Sequence, residues 1–261
     1  MTSTRRPPLF LAVPAALGLL FLLLPLLGLL LRAPWSGLPE LLAEPPVREA
    51  LRLSLVSAGL ATALSLIVGI PLAWVLARCD FPGRRLVRAL VTLPLVLPPV
   101  VGGVALLAAF GRRGVLGPAL SDVGVSLPFT TAGVVLAEAF VAMPFLIITV
   151  EGALATSDQR YEEAARTLGA RGWTVFRRVT LPLVAPSIAA GTVLCFARAL
   201  GEFGATITFA GSFPGTTQTM PLSVYLALET NPEGAIALAL VLLAVSLLVL
   251  VGLREQWLRP R

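Results

Sequence analysis

Six long apolar stretches constrain what this chain can fold into more than any other feature of its sequence. An α-helix needs about 20 consecutive apolar residues to cross the hydrocarbon core of a bilayer. The predicted spans are residues 9–31, 51–77, 87–110, 129–150, 181–208 and 235–253. Because 57% of the residues are hydrophobic and only 13% are charged, a single water-soluble core cannot hold them. We therefore predict an all-α, polytopic membrane bundle of about six transmembrane helices, embedded in the lipid bilayer.

Arginine placement predicts how this bundle is oriented. All 20 basic residues are arginine, and the cytoplasmic loops of membrane proteins carry an excess of basic residues. Fourteen arginines lie on the side of the N terminus, five lie on the opposite side, and Arg198 lies within the fifth span. The fourteen are Arg5, Arg6, Arg78, Arg84, Arg85, Arg88, Arg160, Arg166, Arg171, Arg177, Arg178, Arg254, Arg259 and Arg261. Both termini are therefore expected on the cytoplasmic side.

Missing residue types exclude several classes of function. Neither Lys nor His occurs in the sequence, which rules out Lys nucleophiles, Ser-His-Asp triads and His-based metal sites. The two cysteines, Cys79 and Cys195, are far apart and lack the CxxC spacing of a zinc site. An ATP-binding P-loop of the form GxxxxGK[ST] needs a lysine, so this sequence has none. We expect no catalytic residue, no metal site and no cofactor in this chain, and no nucleic-acid partner.

The longest predicted cytoplasmic loop carries two short helices. Asp158 is placed to cap the first one, and Glu162 and Glu163 fall in its first turn, where the helix dipole favours acidic side chains. Gly169 follows as a residue that takes a positive φ at little cost, which is typical of a helix end. A second short amphipathic helix is predicted near residues 173–179. Together the two helices form a surface on which a soluble partner can dock.

This loop, at about residues 157–182, resembles the EAA signature of ABC-importer permeases. The signature reads EAA, three residues, G, nine residues, I, one residue, LP, and the chain departs from it only in having Val in place of Ile. The matching residues are Glu163, Ala164, Ala165, Gly169, Val179, Leu181 and Pro182. The resemblance implies a type I ABC-importer transmembrane domain, here residues 48–255, that is not itself an enzyme. It also implies a coupling helix that sits in a cleft of a separate ATPase subunit, which binds ATP and Mg.

Three further segments resemble the molybdate branch of these permeases, which is close to the sulfate branch. They are residues 92–102, with the related 110–114, and then 196–206 and 217–225. The resemblance implies a homodimer in the bacterial cell membrane, two ATPase subunits and an extracytoplasmic molybdate-binding protein. Sulfate and tungstate are alternative cargoes, because the permease need not hold a strong substrate site. An ion-coupled secondary transporter is another alternative, but it would leave the EAA loop without a role.

Charged side chains within the predicted spans are candidates for the transport path, because a charge inside a membrane is costly. Glu138 lies in the fourth span, and Arg198 and Glu202 lie in the fifth. A rise of 1.5 Å per residue puts Glu138 and Arg198 at about the same depth, so they can pair, and Glu202 competes from one turn away. Two interpretations stay open. Either Arg198 and Thr206 line the path of a tetrahedral oxyanion, or one or both glutamates neutralise Arg198 and fix helix packing.

Proline and glycine residues in the third span are further candidates for the path. Pro98, Pro99 and Gly102 interrupt or loosen a helix, and the freed backbone groups must face protein or a water-lined cavity, since lipid cannot satisfy them. Close packing of helices through small residues explains the glycine equally well. On either side of the transmembrane domain, we expect residues 1–47 to form a cytoplasmic tip, the first transmembrane helix and an outer loop, and residues 256–261 to form a cytoplasmic tail.

Overall fold

The computed structural model describes residues 8–257, with all side chains except those of residues 9, 250 and 252–257. Helices make up the fold over this range, and no strand occurs within it. The side chains of five arginines that were used to predict the orientation are not among those described. The same holds for every side chain of the predicted tail at 256–261. The five arginines are Arg5, Arg6, Arg254, Arg259 and Arg261.

Thirteen α-helices occur among the described residues. In chain order they are α1 (Leu9–Leu31), α2 (Leu38–Ala43), α3 (Pro45–Arg78), α4 (Arg84–Val96), α5 (Pro99–Phe110), α6 (Gly117–Asp122), α7 (Thr131–Thr156), α8 (Arg160–Thr167), α9 (Gly172–Val175), α10 (Leu181–Leu200), α11 (Gly204–Phe209), α12 (Met220–Thr230) and α13 (Pro232–Trp257). A π-helical turn at Phe176–Thr180 joins α9 to α10, so that Gly172–Leu200 forms one span. With α1, α3, α7 and α13, this makes five helices in the described range that are long and apolar enough to cross a membrane.

The third predicted span, residues 87–110, is wrong as a continuous helix. It divides into α4 and α5, and Leu97 between them has an extended backbone with ψ 134°. Two consecutive prolines explain the break, because Pro98 and Pro99 donate no backbone hydrogen bond and disfavour helical geometry in the residue before each of them. The fifth predicted span, residues 181–208, is likewise interrupted, since α10 ends at Leu200 and α11 begins only at Gly204.

Helices α3, α7 and α10 form the centre of the bundle. Their facing surfaces bury Leu76, Leu146 and Val150, with small residues between them that let the backbones approach closely. Gly191 of α10 is one such residue, since a Cβ added there would lie 3.0 Å from Leu146 Cδ1. Helix α1 lies at the margin, and none of its described side chains is buried. An apolar surface of this kind suits a helix that faces lipid.

Helices α5 and α11, which follow the two breaks, pack against each other through glycines. A Cβ added at Gly103 would lie 2.6 Å from Thr208 Cβ and 2.9 Å from the Ala205 carbonyl oxygen. A Cβ added at Gly204 would lie 2.6 Å from Pro99 Cβ. All three distances are too short for a Cβ atom, so α5 and α11 meet at positions where only glycine fits.

We expect Gly103→Ala to separate α5 from α11 and to destabilise the fold by about 1–3 kcal/mol, since overpacking forces backbone shifts. The measurement is the midpoint of thermal unfolding in detergent. Gly59→Ala in α3 is the matched control, because nothing lies within 4 Å of the added Cβ there. Equal midpoints for the two variants would contradict the close contact between α5 and α11.

Candidate functional site

Helix α8 forms where the sequence predicts the first helix of the loop. The N-cap residue is Gln159 and not Asp158 as predicted, but Asp158 Oδ1 still accepts a hydrogen bond from the Arg160 backbone N–H at 2.9 Å, just before the helix begins. At the other end Gly169 has φ +83°, and the Gly169 and Ala170 N–H groups donate to the carbonyls of Arg166 and Ala165 at 2.9 and 3.0 Å. This pair of bonds is a Schellman motif, which ends the helix and turns the chain.

The outer face of α8 is exposed and combines an acidic residue with apolar ones. Glu163 and Ala164 are both exposed, and Ala165 is partly so. Leu168 is 88% exposed and Trp173, at the start of the next helix, is 70% exposed. Exposed apolar side chains clustered at one place on a surface indicate a site of protein interaction. We call Glu163, Ala164, Leu168 and Trp173 the docking face.

The second helix of the loop is not a separate element. Helix α9 continues through the π-helical turn, which contains Val179, into Leu181 and Pro182 at the start of α10. Pro182 has no N–H to donate to the carbonyl four residues earlier, which disturbs the α-helical pattern at this point. The EAA-like loop is therefore joined without a gap to a membrane-spanning helix.

Glu162, which the sequence places beside the signature, is buried, and sequence reasoning did not predict that. Its side chain is only 5% exposed and forms an ion pair with Arg78 at the end of α3, with 3.1 Å between Arg78 Nη2 and Glu162 Oε1. Thr180 Oγ1 donates a second hydrogen bond to the same oxygen at 3.1 Å. Arg78 Nη2 also donates to Ser157 Oγ at 2.7 Å. We call Arg78, Ser157, Glu162 and Thr180 the Glu162 cluster.

Of the two glutamates predicted as possible partners of Arg198, only Glu202 pairs with it among the described residues. Arg198 forms an ion pair with Glu202, with 2.5 Å between Arg198 Nη2 and Glu202 Oε2. Glu138 does not pair with Arg198, and instead its Oε1 accepts a hydrogen bond from Ser57 Oγ of α3 at 2.8 Å. Both carboxylates are 1% exposed. The arginine is thus neutralised by the glutamate one helical turn away.

Glu202 lies in the break between α10 and α11 and caps the start of α11. Its Oε1 accepts a hydrogen bond from the Ala205 backbone N–H at 2.9 Å, which satisfies a free donor at the start of α11. Thr206, one residue further on, is fully buried, and its hydroxyl has no hydrogen-bond partner among the described residues. Since Pro99 touches α11 at Gly204, Pro99, Glu202 and Thr206 lie around the same contact between α5 and α11.

The other predicted path residues have different surroundings. Gly102 faces Phe140 of α7, and a Cβ added at Gly102 would lie 3.3 Å from Phe140 Cε1. Pro98 is exposed at the break before α5. Glu138 faces α3 through Ser57. Gly102 thus packs against α7, and Glu138 lies in the contact between α7 and α3.

The chain matches the family of binding-protein-dependent transport system inner membrane components over residues 69–261. It is 49% identical over 245 residues to the molybdenum transport system permease protein ModB of Mycobacterium tuberculosis, which covers 94% of this chain and 93% of that protein. It is 39% identical to the sulfate transport system permease protein CysT of Escherichia coli, with 90% and 86% covered. A crystal structure of a bacterial alginate ABC transporter, in complex with alginate pentasaccharide-bound periplasmic protein, has a similar fold. Its TM-score is 0.77 at 20% identity, with 96% of this chain and 94% of that chain covered.

Proposed function

Because the chain belongs to the family of binding-protein-dependent transport system inner membrane components, we propose that it is the permease subunit of an ABC importer that carries molybdate. The observation that carries the choice of cargo is the 49% identity to a molybdenum permease over nearly the whole of both chains. Sulfate is the second candidate, favoured by 39% identity to a sulfate permease. Tungstate is a third, since it is a tetrahedral oxyanion like the other two.

The proposed transporter contains two copies of this chain, two ATPase subunits that bind ATP and Mg, and an extracytoplasmic molybdate-binding protein. The exposed docking face supports the ATPase contact, because apolar side chains such as Leu168 need a partner. The absence of lysine from the sequence supports a separate ATPase, because the chain has no P-loop of its own. The alginate transporter was solved with a periplasmic protein, which supports a binding-protein partner here.

The docking face lies, in this proposal, on the cytoplasmic side of a bacterial cell membrane. The end of the bundle that carries α8 also carries Arg78, and Arg88 donates from Nε to Glu151 Oε1 near the end of α7 at 2.7 Å. An arginine-rich end is the cytoplasmic end by the positive-inside rule. Movement of the ATPase against α8 would pass to α10 directly, since α9 and α10 form one span. The far end of α10 carries Arg198, beside the two helix breaks.

Uptake of labelled molybdate in the native host, with and without this gene, tests the proposal. External molybdate is kept low, and excess sulfate or tungstate is added as a competitor. We expect deletion to abolish uptake and excess sulfate to leave it unchanged in the parent strain. Unchanged uptake after deletion would remove molybdate as the main cargo, and strong competition by sulfate would favour the second candidate.

A further inference from the structure

Helix α8 is held to the rest of the protein by very few contacts. It has only eight residues, and a helix of that length is not stable alone in water. Glu162 is the only residue of α8 that is buried. Its neighbour Glu163 is exposed on the docking face. The two adjacent glutamates therefore point to different partners, one inside the protein and one outside it.

The Glu162 cluster joins four elements at one place. Arg78 is the last residue of α3, Ser157 follows the end of α7, and Thr180 is the last residue of the π-helical turn before α10. Glu162 Oε1 contacts both Arg78 and Thr180, and Arg78 contacts Ser157. The side chains of Arg78 and Glu162 are 6% and 5% exposed. Helices α3, α7 and α10 are the three that form the centre of the bundle.

We infer that Glu162 is the positioning residue that transmits movement of the coupling helix to the membrane-spanning helices. This inference rests on the proposed function and assigns the transmitting contact to a residue outside the EAA signature. Besides the chain connection through α9, the one buried side chain of α8 gives a force applied to the docking face a route to α3, α7 and α10 together. Charged hydrogen bonds at a buried site fix geometry more tightly than exposed ones, because water does not compete for them.

The test uses the full transporter in liposomes, with the ATPase subunit and the molybdate-binding protein present. Molybdate uptake and ATP hydrolysis are measured in the same vesicles, and their ratio is the readout. Glu162→Gln leaves the buried Arg78 without its carboxylate, and Arg78→Gln leaves Glu162 with only the longer 3.8 Å contact to Arg166, so each lowers assembly. The double variant Arg78→Gln/Glu162→Gln removes both charges, so we expect its assembly to recover. Its uptake per ATP should stay lower than that of the unaltered transporter by about fivefold or more, since the transmitting contact remains weakened.

Two further variants separate transmission from folding. Thr180→Val removes one hydrogen bond to Glu162 without exposing a charge, and should lower uptake per ATP by about threefold. The control Asp80→Asn/Arg84→Gln removes an exposed ion pair at the same end of the bundle, where the Asp80 side chain is 96% exposed, and should change nothing.

A normal ratio of uptake to ATP hydrolysis in both the Thr180→Val variant and the assembled double variant would overturn the inference. This result would leave the proposed function standing, because the unaltered transporter would still take up molybdate with ATP. Failure of the unaltered, assembled transporter to take up molybdate with ATP would overturn the proposed function, and this inference with it.

Discussion

Reversing the charge of Glu163 is expected to abolish ATP-driven molybdate uptake. Glu163 is exposed in the first turn of α8, where a lysine would meet the positive end of the helix dipole instead of complementing it. In the proposed complex the new lysine also lies in the contact with the ATPase subunit. There its positive charge either faces the group that paired with Glu163 or has no partner. Such a change costs several kcal/mol of binding free energy, so uptake by Glu163→Lys should fall by at least about 30-fold.

The control for this prediction is Asp80→Lys, a charge reversal at the same end of the bundle. The Asp80 side chain is 96% exposed and, among the described side chains, pairs only with Arg84, so its loss should have little effect. Copurification of the ATPase subunit with each variant measures docking independently of transport. Full uptake by Glu163→Lys, with the ATPase subunit bound, would exclude the docking face as the ATPase contact.

Replacing Arg198 with methionine is expected to lower the yield of folded protein, because the buried Glu202 carboxylate loses its ion-pair partner. Glu202 is 1% exposed, and its ion pair with Arg198 is the only one recorded for it among the described residues. Removing one partner of a buried pair costs about 3–5 kcal/mol, which is a large part of the 5–15 kcal/mol that holds a typical domain together. The measurement is the amount of monodisperse protein after extraction in detergent.

A double variant distinguishes the loss of the ion pair from the loss of a contact between Arg198 and the cargo. The double variant Arg198→Met/Glu202→Gln removes both charges and keeps an amide oxygen that can accept from the Ala205 N–H. We expect this variant to recover most of the folded protein and to select among molybdate, tungstate and sulfate as the unaltered protein does. An Arg198→Met variant that assembled normally and preferred a different oxyanion would instead place Arg198 in the path of the cargo.

Local signals in the sequence predicted the coupling loop well. The start of α8 and the turn at Gly169 depend on residues within a few positions; the turn occurs as expected, and the helix begins one residue later than the predicted cap at Asp158. Pro98 and Pro99 indicated an interruption or loosening of the third span, but the span was still predicted as one stretch, because mean hydropathy over a window does not register where a helix ends. Two extended residues suffice to divide the span without changing its composition.

The pairing of buried charges depends on contacts that spacing alone does not show. The depth of Glu138 and Arg198 in the membrane follows from the rise per residue, but depth does not fix which way each helix faces. Glu138 faces Ser57, which is 81 positions away in the sequence, and Arg198 pairs within its own helix turn. The burial of Glu162 likewise depends on Arg78, 84 positions earlier. Helix periodicity could not separate the roles of Glu162 and Glu163, which are adjacent.

The most direct test of the account is the energy source for transport in a reconstituted system. The chain is placed in liposomes with the ATPase subunit, the binding protein and labelled molybdate, and uptake is measured with ATP or with a proton gradient. The account predicts uptake that requires ATP, the ATPase subunit and the binding protein together, and that does not respond to the gradient alone. Uptake driven by the proton gradient in liposomes that contain only this chain would contradict it and would identify a secondary transporter.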